Sequence, residues 1–225
     1  MRKKWSDEDI ASLAIKLRKA LNLPDWQQID VADLATKLQR DSRPAVRIDF
    51  EECSSGYLKG FAAKARPKER KVSMIYGLWQ KLIKGDSHAA AIILEEIGHI
   101  FMHPEAMTID HADGIDVKAA NHPEFAEMEE EAQKFVFYTF APIEEVYSWT
   151  DAERLVKQFG MPLELAKGYI DHLRSTRVWT QLHQHLIAKM YSIERKLVAV
   201  FSKRVASLRM SFILQKKRST MLRLA

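Results

Sequence analysis

Between Ser87 and His103 the chain reads SHAAAIILEEIGHIFMH, a run whose apolar content suits a buried helix and whose polar residues do not. Helical spacing turns each residue by roughly 100°. On that wheel His88, Glu95, Glu96, His99 and His103 share one narrow sector, interrupted by Ile92, while Ala90, Ile93, Leu94, Ile97, Ile100 and Phe101 occupy the other side. Burying unpaired charge is costly, so three imidazoles and two carboxylates on the face of an apolar helix imply partners or a metal ion. This stripe is the first place to expect chemistry.

A second helix, expected over 123–141, begins at Pro123, a residue suited to a first helical turn, and stops before Pro142. Most of its five glutamates (Glu124, Glu127, Glu129, Glu130, Glu131) favour the positive end of the helix dipole. Phe125, Met128, Ala132, Phe135, Val136, Thr139 and Phe140 define its inward sector, and Glu129 projects into that sector. Glu127 and Glu130 point away, and Glu124 and Glu131 lie near a border. Residues four apart stack on one helix face, so Glu95 and His99 could grip one ion with Glu129 as a third ligand. Three protein ligands and a water form the open arrangement of catalytic zinc. Glu96, rotated by roughly 100° from the ligand pair, could reach that water as a general base. Asp110, His111, Asp113 and His122 have looser spacing and read as loop residues able to line the cleft.

The rest of the chain bounds the architecture. With 225 residues and 47% apolar content it can bury a substantial core, as one domain or one domain plus an appendage. No unbroken apolar run approaches the roughly 18 residues of a spanning helix, and the start MRKKWSDEDI has no apolar core to make it a signal peptide. Cys53 is the one cysteine, which excludes an internal disulfide and a cysteine-built zinc site, and a reducing, cytoplasmic setting is expected.

Helices are expected at 6–21, with Ser6 as cap, at 30–38, and then at 77–84, 87–103, 123–141, 151–159 and 162–174. Period-two alternation at Val46–Phe50, a short Gly-punctuated run at Tyr57–Ala62 and a further run at Val72–Tyr76 predict a small, mostly antiparallel sheet. The pair at 151–175 has the outline of a helix-turn-helix, but its second helix offers Glu164, Lys167, Tyr169 and Asp171, a poor face for reading bases. It is therefore expected to be packing scaffold. From Arg174 onward twelve basic residues face Glu194 alone, so the end of the chain carries +11 and residues 1–173 carry −6 of the net +5. That extension, 176–225, has apolar residues every three to four positions over 193–214. It could be a core-docked or oligomerising helix, a surface helix for anionic lipid, or an arm that binds nucleic acid through phosphate. No oligomeric state can be read from the residues.

The two polar-faced helices resemble those of the ImmA/IrrE-type metallopeptidases, a gluzincin-like family built around HExGHxxxH. The corresponding stretch here is Leu94-Glu95-Glu96-Ile97-Gly98-His99-Ile100-Phe101-Met102-His103, and the family's later glutamate helix corresponds to Glu129-Glu130-Glu131-Ala132-Gln133-Lys134-Phe135-Val136, ending at Ala141-Pro142. The resemblance spans about residues 7–175, strongest in these helices. It implies an α+β fold with a mainly helical, zincin-like domain over 1–175, and it does not cover the extension 176–225, whose basic, helical character is expected from its own residues. It also implies a metal-dependent endopeptidase that cleaves a regulatory protein such as a transcriptional repressor, with Glu96 as base.

Two positions depart from the family pattern. Glu95 stands where the first metal histidine belongs, giving EExxH, and Gln133 replaces an Asn or Asp. One nitrogen and two carboxylates make a harder site, which zinc, manganese or iron could occupy. His103, a turn beyond His99, is a further candidate ligand. The alternative is a chain without metal, an inactive pseudo-peptidase acting as a protein- or DNA-binding regulator.

Overall fold

The computed structural model describes residues 4–23, 27–58, 60–106 and 123–175, all within one compact unit, Met1–Trp179. The extension 176–225 and the loop candidates Asp110, His111, Asp113 and His122 lie outside the described residues.

Local signals set the first two helices. In α1 (Asp7–Ala20) the Ser6 side chain accepts the Asp9 amide hydrogen at 3.1 Å, and Asp7, Glu8 and Asp9 load the first turn. In α2 (Val31–Arg40) Asp30 caps the Asp33 amide at 2.9 Å, and Val31, Leu34, Ala35 and Leu38 are buried as their spacing predicts. Arg18 of the first helix is fully buried.

The sheet has three strands, β1 (Asp49–Cys53), β2 (Ala63–Arg66) and β3 (Lys71–Ile75), in the order β1-β3-β2. It is mixed, which corrects the expectation of a mostly antiparallel sheet: β1 runs parallel to β3 in the register Asp49↔Lys71, and β2 antiparallel in the register Ala63↔Met74. Alternation identifies strand-forming runs but is silent on their order. After β1 the chain crosses to the far edge before returning through the middle. Residues 57–58 and 60–62 are turn and loop, with Gly60 at φ 91°, and the strand begins beyond them at Ala63. Ala-Lys-Ala-Arg has weak strand propensity. Pairing to β3 and a hydrogen bond from the Ala65 amide to the Glu96 carboxylate hold it extended. A single 3-10 turn at Pro67–Glu69 with Arg70 in the left-handed region closes the β2–β3 hairpin.

Helices follow: α3 (Leu78–Ile83), α4 (Ser87–Met102), α5 (Pro123–Phe140), the short α6 (Ile143–Val146), α7 (Ala152–Phe159) and α8 (Leu163–Ser175). Asp86 caps α4 through the amides of His88 and Ala89 at 2.9 and 3.0 Å. α4 packs against β2 on one side and α5 on another, and α5 also packs against α1. Gly98 permits the close approach of α4 to α5, since a Cβ there would stand 2.9 Å from Cδ1 of the buried Phe135. α7 and α8 pack together and α8 packs on α5. Tyr169, expected on the exposed face of the helix-turn-helix-like pair, is instead buried: it stacks on Phe137 at 5.0 Å and its hydroxyl donates to the Ala141 carbonyl at 3.0 Å.

Candidate functional site

The polar stripe of α4 borders a cavity of about 280 Å³ between α4, α5 and β2. Glu95, Glu96, His99 and Glu129 line it together with the apolar side chains of Phe61, Ile92, Phe125 and Met128 and the β2 residues Ala63, Lys64 and Ala65. The structure therefore brings to one place all four residues singled out as ligands or base. His88 is exposed at the other end of α4 and takes no part.

His99 and Glu129 meet across the cavity, with Nε2 of the imidazole 3.4 Å from Oε1 of the carboxylate. The Glu129 side chain keeps 42% of its surface open to solvent while that of His99 keeps 11%, so one partner faces the opening and the other the wall. Burial opposes charge on His99, but the Glu129 hydrogen bond and the carboxylates of Glu96, Glu129 and Glu95 outweigh it and hold its pKa above the ordinary value.

Glu96 turns to the sheet side, where its Oε2 accepts the backbone N–H of Ala65 in β2. Burial is the main cause that raises its pKa to about 7. The Glu95 charge adds to the rise, while His99 and the Ala65 amide oppose it. A carboxyl group poised near neutrality can both take and return a proton. Glu95 is likewise pushed up, first by burial and then by the Glu129 charge.

Among the described residues, no group of three His, Cys, Asp or Glu side chains converges closely enough to hold a metal ion. His99 and Glu129 form a pair. Glu95 shares their cavity without completing a three-ligand cluster.

His103, the further candidate ligand, does not line the cavity. It is buried behind His99, with its Nδ1 3.1 Å from the Nδ1 of His99 and its Nε2 2.8 Å from Oε2 of Glu131. Gln133, at the other departure from the family pattern, is exposed and lines a separate depression with Glu130, Lys134 and His172.

Sequence reasoning missed Glu131, which its wheel placed at a border. α5 is covered by α4 on one side and α1 on another, so a border position becomes interior. The signal was the run Phe135–Phe140, buried throughout, which marks a helix with more than one covered face. The chain matches no protein-family model, no curated protein and no solved structure.

Proposed function

We propose that this chain is a metal-dependent endopeptidase of the ImmA/IrrE type that cleaves a regulatory protein such as a repressor. The observation that carries the reading is the meeting of His99 and Glu129 in one cavity with Glu96, whose pKa of about 7 suits a general base. His99 would hold the ion through Nε2 and Glu129 through a carboxylate oxygen, with Glu95 as the third candidate in the same cavity. The donor chemistry fits a divalent cation in part: one imidazole nitrogen with carboxylate oxygens suits zinc, manganese or iron, while a closed three-ligand grip requires Glu95 to move. A cation bound there supplies Lewis acidity and lowers the pKa of water.

The remaining chemistry belongs to the side chains. Glu96 takes the proton of the attacking water on its carboxylate and returns it to the leaving amine. The Ala65 N–H holds that carboxylate beside β2. Phe61, Ile92, Phe125 and Met128 give the cavity an apolar lining beside the carboxylates. A protein substrate and a regulatory role follow from the family resemblance. A cytoplasmic location is proposed from the lone Cys53. None of the helices among the described residues is long and apolar enough to cross a membrane.

The second reading, a pseudo-peptidase that binds protein or nucleic acid, is favoured by Glu95 in the first ligand position and by the missing three-ligand cluster among the described residues. Elemental analysis after dialysis against zinc separates the two. The peptidase should carry stoichiometric metal that His99→Ala loses, and substoichiometric metal unchanged by His99→Ala supports the pseudo-peptidase. Cleavage of a quenched-fluorescent peptide library should fall by roughly 10²–10⁴-fold in Glu96→Gln with an unchanged unfolding midpoint, and retained cleavage removes Glu96 from its role.

A further inference from the structure

Residues 4–7 lead into α1 and direct their polar groups at two other helices. Lys4 Nζ lies 3.2 Å from Glu127 Oε1, the Trp5 backbone N–H donates to Glu131 Oε1 at 3.0 Å, and Lys134 Nζ lies 3.0 Å from Asp7 Oδ1. Glu127, Glu131 and Lys134 are four and three residues apart, so these contacts run down one stripe of α5. The Trp5 indole leaves that stripe, and its Nε1–H donates to the Met102 carbonyl of α4 at 2.9 Å. An amide, an indole and an ammonium group can only donate, so each of these bonds has one direction. The Met102 carbonyl ends α4, where no amide of the helix itself is left to meet it. Trp5 is half-buried at this crossing. Met102 stands three residues beyond His99, and Glu127 and Glu131 stand two residues to either side of Glu129. The contacts of residues 4 and 5 therefore flank the two turns whose side chains meet at 3.4 Å across the cavity. Those turns belong to helices joined through residues 103–122, which is no short turn that would fix their spacing by its length.

We propose that Trp5 is a positioning residue, whose amide and indole clasp α5 to the last turn of α4 and so set the distance between His99 and Glu129. The clasp stands on the contacts named here; its consequence for metal binding rests on the peptidase reading above. The indole bond carries it, because the Lys4–Glu127 pair is open to solvent, where an ion pair contributes little.

The test compares the full chain with two variants that lose opposite things. Trp5→Phe keeps an aromatic ring but removes the donor, whereas Trp5→Gln gives up the ring but keeps an N–H as many bonds from Cβ as the indole has. Crystal structures of the metal-free proteins should show His99 Nε2 and Glu129 Oε1 in contact in the wild type and in Trp5→Gln, and parted beyond about 4 Å in Trp5→Phe. Cobalt(II) titration of the folded proteins adds the second readout. The dissociation constant should rise roughly 10-fold or more in Trp5→Phe and stay within about twofold of the wild type in Trp5→Gln. An unchanged separation in Trp5→Phe overturns the proposal, and so does an equal change in both variants, which would mark lost packing. A urea midpoint that falls while the contact and the constant hold makes Trp5 a fold residue alone and overturns it too. A parted contact with an unchanged constant overturns the link to metal binding. If Trp5→Phe does not fold, Trp5→Gln decides: a wild-type contact supports the donor role and a parted one overturns it. A wild type that shows the contact but binds no cobalt sinks the peptidase reading, and the metal-free separations still decide the clasp.

Discussion

Arg18 illustrates how a single side chain ties the first helix to the end of α5. It sits on the stripe of Ala14 and Ala11, four and seven residues back, so its helical position is inward although its chemistry reads as solvated. Its Nη1 donates to the carbonyls of Thr139 and Phe140 at 2.9 and 3.3 Å, and its Nη2 to the Gln27 carbonyl. A cation at those carbonyls satisfies acceptors left open at the C-terminal end of α5 and complements its dipole. Replacing Arg18 by Met should therefore destabilise the protein by roughly 1–3 kcal/mol, because buried carbonyls lose their donors, and urea unfolding would measure the loss. A charged side chain on a first helix reads as solvated because its partners at Thr139 and Phe140 lie more than a hundred residues away. The same holds for Glu131: its border position could be counted from the sequence, whereas the Trp5 amide that makes it interior could not. Glu95, Glu96, His99 and Glu129 were legible because polarity on an apolar face stands out regardless of the partner.

For the elements, the seam between α4 and α5 is the part most sensitive to volume. Gly98→Ala would gain helix propensity of up to about 1 kcal/mol but would press a methyl group onto the ring of Phe135, which is fully buried and cannot swing away. A net loss of roughly 1–2 kcal/mol in chemical unfolding is expected, and a stabilised variant would show that the seam has slack. Helix positions were readable within a few residues because caps and periods are local: Ser6 caps where expected, α2 begins one residue after its expected start, and α4 ends one residue before its predicted close. The sheet was less readable. Its parallel β1–β3 pair depends on a crossing that no turn residue announces, and β2 depends on the Glu96 contact with Ala65. The α7–α8 turn was signalled by Gly160, which closes α7 at φ 65°.

Across the whole molecule, a second polar cluster lies where α1, α5 and α8 meet. The Tyr138 hydroxyl and His172 Nε2 are 2.9 Å apart, Asp7 lies 3.9 Å from the same ring, and Lys134 bridges Asp7 and Glu130 at 3.0 and 2.7 Å. Burial lowers the His172 pKa below its ordinary 6.5 and Lys134 adds to this, against the pull of Asp7 and Glu130. The folded state therefore resists a proton that the unfolded chain accepts. The contribution of His172 to stability is complete above that ordinary pKa, declines as pH falls from there to the lowered value, and is constant below it. Urea midpoints taken from about pH 8 down to about pH 5 should fall less in His172→Gln, whose amide oxygen can accept from Tyr138, and equal slopes would remove His172 from the account. The charge asymmetry of the chain makes a separate prediction. If the basic stretch beyond Arg174 binds nucleic acid, salt-sensitive binding of a DNA duplex should vanish on truncation there, and binding that survives truncation places the contact in the acidic body.

The Arg18 contact with Thr139 and Phe140 also bears on biosynthesis. A polypeptide leaves the ribosome amino end first, so the opening helix emerges long before the segment that will cover it has been translated. Until then its apolar stripe and its inward guanidinium have no native place to settle. The nascent protein must keep that first helix waiting, exposed to chaperones, while the β2–β3 hairpin, whose strands adjoin in the chain, can already close.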